Sequence, residues 1–371
     1  MSENVLFSPI ALRSVELPNR IVVSPMCQYS AVDGCANDWH LVNLAHYALS
    51  GPGLAFFEAT HVSPEGRITP SCLGLYRDDH EAAMARIVRF IHERTPVRVG
   101  VQLAHAGRKG STLPPWEGGG PVRDARGWRT VAPSAIPYDE RWPIPQALDT
   151  AGMRKIRDDF VAAAIRAVRI GVEVIELHVA HGYLLHEFLS PLTNRRDDAY
   201  GGSLENRMRF PLEVFEAVRA VWPAEKPLGV RISATDWVDG GWDVEQSCTF
   251  ARELAARGCD FIDVSSGGLS PLQRIDARPG YQVPFARAVR AAAGIPVIAV
   301  GMITDPREAE RILREGDADM IALARGFIRD PRWVWDAADL LGSEAFVPPQ
   351  YLRGRHAARP PLPEPAVSVP S

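Results

Sequence analysis

Short, nearly unbroken apolar runs alternate along the chain with longer stretches in which apolar residues recur three and four positions apart. The runs are Ile21–Ser24, Leu54–Ala59, Val97–Leu103, Val172–Leu177, Leu228–Ile232, Phe261–Val264, Pro296–Val300 and Met320–Leu323. Apolar character without polar alternation suits parallel strands covered on both faces. Between the runs, the spacing predicts helices at Leu41–Leu49, His80–Glu93, Met153–Ile170, Leu204–Val221, Val244–Arg257, Pro284–Ala292, Pro306–Leu313 and Pro331–Leu341. Asp305 before Pro306 reads as an N-cap followed by a first-turn proline, and Gly258 and Gly316 read as helix stops. Eight strand–helix units in series predict an α/β fold, a single (β/α)8 TIM barrel, where a doubly wound sheet would usually have fewer strands. The barrel is expected over residues 1–355. Residues 110–148, rich in Pro, Gly and Trp, form an insertion after the third strand, expected to cover the mouth as a lid. The proline-rich tail 356–371 lacks periodicity and is expected to be disordered.

Composition narrows the picture. A formal net charge of −4 over 371 residues gives no general attraction to nucleic acid or anionic membrane. No run approaches the ~18 apolar residues of a membrane span, and Met1–Pro9 lacks a signal-peptide pattern. Five scattered cysteines form neither CxxC pairs nor a disulfide framework, which points to the reducing cytoplasm. Lysine is scarce: Lys109, Lys155 and Lys226 are the three in the chain.

In this architecture chemistry belongs at the C-terminal ends of the strands. There the sequence places Ser24-Pro25-Met26-Cys27-Gln28-Tyr29, then Glu58-Ala59-Thr60, then Gln102-Leu103-Ala104-His105. The fourth run leads into His178-Val179-Ala180-His181-Gly182-Tyr183, and the fifth contains Arg231. Ser265-Ser266-Gly267-Gly268, Gly301-Met302 and Ala324-Arg325-Gly326 follow the last three runs, and small residues there suit close backbone approach to a phosphate.

These strings carry a resemblance. Together with Pro64-Glu65-Gly66-Arg67-Ile68, His105-Ala106-Gly107-Arg108-Lys109 and Asp198-Ala199-Tyr200-Gly201-Gly202-Ser203-Leu204-Glu205-Asn206-Arg207, they resemble the Old Yellow Enzyme family of FMN ene-reductases, its thermophilic-like branch in particular, over roughly residues 5–355. The resemblance implies bound FMN, reduced by NADPH or NADH, and hydride transfer from flavin N5 to an activated alkene such as an enone, maleimide or nitroalkene. It implies flavin contacts from Ser24, Pro25, Met26, Cys27, Ala59, Gln102 and Arg231, and phosphate contacts from Gly301, Ala324 and Arg325. His178 and His181 would clamp the substrate's activating oxygen, Tyr183 would donate the proton, and Tyr29 would reach the substrate. Many members carry Gly-Arg where this chain has Ala324-Arg325; a backbone N–H survives that change. Gln350-Tyr351-Leu352-Arg353-Gly354-Arg355 resembles the branch's C-terminal signature, implying a homodimer or homotetramer in which Arg353 crosses to a neighbouring active site.

Other readings stay open on residues alone. An isolated HxxH pair is often packed or capping, Arg231 could pair with a barrel carboxylate, and Cys27 could be a small buried hydrophobe. Arg108 and Lys109 could be solvated or touch the nicotinamide cofactor. A metal-dependent hydrolase using His105, His178 and His181 lacks an evident carboxylate ligand. A Schiff-base aldolase would have to use Lys109. No cysteine follows Cys259 to hold an iron–sulfur cluster, and no GxGxxG follows a strand, so a Rossmann domain is not expected.

Overall fold

The computed structural model describes residues 4–355, so the tail expected to be disordered lies outside the described residues. Eight strands close into a barrel: β1 (Ile21–Val23), β2 (Leu54–His61), β3 (Arg98–Ala104), β4 (Val174–Val179), β5 (Leu228–Ser233), β6 (Phe261–Ser265), β7 (Val297–Ala299) and β8 (Met320–Leu323). Every neighbouring pair is parallel, including the β8–β1 closure that sets Val22 against Ala322. Around it run α1 (Asp38–Ala48), α2 (Asp78–Arg94), α3 (Thr150–Ile170), α4 (Leu204–Val221), α5 (Val244–Ala256), α6 (Val283–Ala293), α7 (Pro306–Arg314) and α8 (Trp333–Leu341). Asn37, Asp149, Ser203, Asp243 and Asp305 each cap a helix by accepting a backbone N–H. Each such cap stabilises its helix by about 1 kcal/mol. This is the (β/α)8 TIM barrel the apolar pattern predicts.

Two apolar layers hold it together. The larger lies between the strands' outer faces and the helices, and the smaller fills the lumen. The lumen is floored by Leu12, Val15 and Leu17 from an antiparallel hairpin, Ile10–Leu12 with Val15–Leu17, which the apolar pattern did not reveal because each strand has three residues. Above the floor, Phe56 and Phe261 fill the lumen, their ring centroids 6.5 Å apart. Gly100 and Gly229 make room for them: a Cβ at either would lie within 2.4 Å of a ring carbon.

Above the phenylalanines the lumen turns polar. Strand alternation carries Gln102, Glu176, Arg231 and Asp263 inward, with His178 in register with Arg231 and with Ser233 and Ser265 beyond them toward the mouth. The fourth apolar run begins two residues before β4 does, because Val172 belongs to the turn leaving α3. His178 therefore sits within the strand, opposite Arg231, rather than after it.

The insertion leaves β3 through the 3-10 turn Gly107–Lys109 and returns at Asp149, the cap of α3. It brings Trp116 edge-on to Tyr29, ring centroids 5.7 Å apart, and Tyr138 beneath the Lys109 ammonium, 5.0 Å from the ring centre.

Candidate functional site

The loop after β1 is held from below. A bulge in β2 leaves Glu58 as the extra residue between Phe57 and Ala59, turning its carboxylate toward α1. Glu58 Oε2 accepts the N–H of Gln28 at 2.9 Å, and Oε1 lies 3.4 Å from His40 Nε2. That anchor fixes Ser24–Tyr29 across the mouth. Ser24 N donates to Leu323 O at 3.0 Å, while the buried Ser24 Oγ has no partner among the described residues. Tyr29 is held in the left-handed region at φ 49°, a conformation unfavourable for a bulky side chain. Cys27, Tyr29 and Tyr183 pack on one small patch with Ile68, Cys72 and Ala106. Burial pushes the Cys27 thiol and the Tyr29 and Tyr183 phenols upward, so all three keep their protons at neutral pH.

Across the mouth stand the two histidines. His178 Nδ1 accepts the N–H of Ala180 at 3.2 Å, which leaves its proton on Nε2. His181 is held at φ 58° with its N–H on Ser233 Oγ at 2.9 Å, and its Nε2 lies 2.8 Å from Ser265 Oγ. Assigning the Ser265 hydroxyl as donor into that nitrogen leaves the His181 proton on Nδ1. The remaining ring nitrogens, His178 Nε2 and His181 Nδ1, are 3.4 Å apart, within reach of one another. Burial, then the positive charge of Arg231, holds both imidazoles well below their ordinary range, so both are neutral. In this pair of tautomers two neutral N–H donors face one point. The Tyr183 ring stands edge-on to His178 with centroids 4.9 Å apart.

Much of this loop's rigidity comes from residues the sequence did not single out. His186, 2.9 Å from Asp236 and fully buried with it, accepts the N–H of Gly182 at 3.0 Å. Gly182 and Gly268 interlock, since a Cβ on Gly182 would lie 2.4 Å from Gly268 O and one on Gly268 would lie 2.6 Å from His181 Cα. Gly268 therefore serves the histidine loop rather than the phosphate suggested by its position after a strand. Lys109 is half-buried rather than freely solvated. Its ammonium donates to His181 O and Gly268 O, each at 2.8 Å, and sits 5.2 Å over the Tyr183 ring. Burial, then Arg108, lowers its pKa to about 8. Arg108 is buried as well, donating to Leu269 O at 2.8 Å. A sequence signal existed: two cations directly after a strand end in a lysine-poor chain.

The remaining expected positions fall as follows. Ala59 and Gln102 line the lumen side of β2 and β3. Pro25 and Met26 are half-buried on the loop after β1. Arg231 is buried and its Nε lies 3.3 Å from Asp263 Oδ2, so the carboxylate pairing left open in the sequence is present. Gly301, at φ 131°, follows β7, and Ala324 and the exposed Arg325 follow the neighbouring β8. Arg353 is exposed on the turn Pro349–Gly354, which packs against α8 through Tyr351 and Trp335. His105 stands apart from the other two histidines: among the described residues, the group of three side chains spaced for a metal is Cys35, Asp79 and His80, where Arg77 already occupies Asp79.

Residues 5–343 match the NADH:flavin oxidoreductase / NADH oxidase family. The chain belongs to it. An NADPH dehydrogenase of Geobacillus thermodenitrificans is 45% identical over 352 residues, 94% of this chain and 98% of that protein. An NADH:flavin oxidoreductase of Gibberella zeae is 44% identical over 358 residues, 91% and 86% of the two chains. Among solved structures, morphinone reductase superposes with a TM-score of 0.76 at 30% identity, covering 92% of this chain and 90% of that one. The protein is thus an FMN-dependent NAD(P)H oxidoreductase of the Old Yellow Enzyme type.

The mouth fits that family's cofactor. Ser24 Oγ is a buried polar atom without a hydrogen-bond partner among the described residues, and Arg231, paired through Nε with Asp263, and Gln102 are buried polar groups of the lumen. They are suited to the edge of a polar tricyclic ring. Gly301 admits close backbone approach, since a Cβ there would already lie 2.9 Å from Gln282 Nε2. With Ala324 and Arg325 just after the adjacent strand, it would suit a phosphate at the β7–β8 side of the mouth, the usual anion site of a TIM barrel.

Proposed function

We propose that this Old Yellow Enzyme-type flavoenzyme reduces the C=C bond of an alkene conjugated to a carbonyl, imide or nitro group, using NADPH or NADH. The observation carrying this reading is the pair of neutral imidazoles whose Nε2 and Nδ1 atoms converge 3.4 Å apart beside Tyr183. With both nitrogens in the N–H form neither can bond the other, and a substrate carbonyl or nitro oxygen within reach of both supplies the acceptor.

Ser24, Pro25, Met26, Cys27, Ala59, Gln102 and Arg231 would hold the ring, and Gly301, Ala324 and Arg325 the phosphate. When bound, the flavin supplies the hydride, from N5. His178 Nε2 and His181 Nδ1 bind the activating oxygen and stabilise the charge that gathers there as the β-carbon is reduced. Burial of Tyr183 preserves its proton for the α-carbon, and the Lys109 ammonium over its ring stabilises the phenolate left behind. Tyr29, braced by Trp116, supports the substrate from the opposite side. The insertion then acts as a lid, limiting water at the mouth.

We further infer a homodimer or homotetramer in which Arg353 reaches a neighbouring mouth; its exposure alongside Leu352, 59% exposed, favours a partner surface there. All five cysteines are free, which suits the cytoplasm. Anaerobic turnover of 2-cyclohexenone with NADPH tests the central reading. Saturated ketone should accumulate in step with NADPH loss, and NADPH consumption that requires oxygen and leaves the enone intact would refute it.

A further inference from the structure

Beneath the mouth, two carboxyl groups share a space built for one negative charge. Glu176 of β4 and Asp263 of β6 are buried in the lumen, 0% and 1% exposed, and face one another closely enough to share a hydrogen bond. Glu176 Oε1 accepts from Gln102 Nε2 at 2.7 Å, and Asp263 Oδ2 lies 3.3 Å from Arg231 Nε. Each carboxyl then has one oxygen left over, Glu176 Oε2 and Asp263 Oδ1, with no donor among the described residues. Two carboxyl groups in contact within an enclosed space are relieved by one retained proton.

The charge balance says the same. Gln102 of β3 is neutral, Arg231 of β5 carries one positive charge, and His178 of β4, nearer the mouth, is neutral. The other strands put Val22, Phe56, Ile298, Val300, Met320 and Ala322 into this lumen. Two carboxylates against one guanidinium would leave an uncompensated buried charge, which is costly; one retained proton removes it.

The geometry points to Glu176 and Asp263 as a proton-sharing pair that answers, through Arg231, to the charge on the flavin. This rests on the proposed placement of Arg231 at the flavin edge. While the pair holds its proton, Arg231 and Asp263 balance, and flavin reduction takes up two electrons and one proton. Once the pair has lost that proton to solvent, the negative charge that reduction adds next to Arg231 draws it back. Reduction then takes up two electrons and two protons, the second from solvent to the carboxyl pair. Burial, then Asp263, raises Glu176 to about 8, which sets where the change occurs.

The test is the flavin midpoint potential of the holoenzyme between pH 6 and 9.5, with infrared difference spectra of the same samples. Wild type should show a slope against pH that doubles above about pH 8 and a protonated-carboxyl C=O stretch that is lost in Glu176→Gln. Both Glu176→Gln and Asp263→Asn should keep a single slope throughout. A wild-type slope without the bend, or a bend that persists in both variants, overturns the pair's role. Arg231→Leu separates this from the placement it rests on. An unchanged potential there means Arg231 does not face the flavin, whereas a lowered potential without a wild-type bend rejects the shared proton alone.

Discussion

Replacing His181 by Ala removes one of two N–H donors while leaving the other fixed by the Ala180 N–H. Loss of one preorganised donor to a developing oxyanion typically costs 10²–10³ in rate, about 3–4 kcal/mol. The full cost applies here for two reasons. Both imidazoles are neutral and buried, so the remaining group cannot compensate by charging. In addition, Ser265 Oγ, 2.8 Å from His181 Nε2, reaches the side of the ring away from the substrate and cannot replace Nδ1–H. Because residue 181 sits at φ 58°, Ala incurs left-handed strain of about 1–2 kcal/mol. His181→Asn is the better control, since Asn tolerates this region and offers an amide donor. Stopped-flow absorbance separates the half-reactions. With His181→Ala, flavin reoxidation by cyclohexenone should fall at least a hundredfold while flavin stays bound, and His181→Asn should recover part of the loss. Reoxidation within threefold of wild type would refute the clamp.

His178→Ala should give a loss of the same order, and the double variant less than the product of the two, because the donors act on one oxygen. Arg231→Leu should lower the flavin midpoint by up to roughly 90 mV, from ~4 kcal/mol at 4 Å and ~30 mV per 1.4 kcal/mol; potentiometry with reference dyes would reveal it. Gly268→Ala, by pressing on His181 Cα, should slow enone reduction at least tenfold while flavin content is unchanged, and normal turnover would contradict the packing argument. Glu187, buried beside Arg108, is raised to about 8. A carboxyl raised on folding contributes stability present below its unfolded pKa and lost as pH rises toward the folded one. Glu187→Gln should therefore melt higher relative to wild type at pH 8 than at pH 5, measured by thermal unfolding, and an equal difference at both would reject it.

The barrel was legible because the strands are buried on both faces and most helices carry a cap or a glycine stop. Leu204–Val221 is found as the periodicity predicts, with Ser203 as its cap. Errors collected at junctions. Val172 extended an apolar run into the turn leaving α3, and three-residue strands such as Ile10–Leu12 offer too few positions to show a period. Site residues on strand ends could be found by position and residue type. Lys109 misled because its surroundings are tertiary: two carbonyls and two aromatic rings drawn from three separate segments. Glu58 was likewise hidden, since a one-residue bulge decides which way it points. Glu176 and Asp263 lie inside apolar runs, and only closure of the barrel brings them together.

The visible spectrum of the purified protein tests the central claim most directly. It should be that of oxidised FMN, bleach under argon with one equivalent of NADPH, and return with one equivalent of cyclohexenone as cyclohexanone forms. A protein that bleaches yet stays reduced under argon in excess enone, recovering colour only in air, would contradict the assignment of the histidine pair and Tyr183 to alkene reduction.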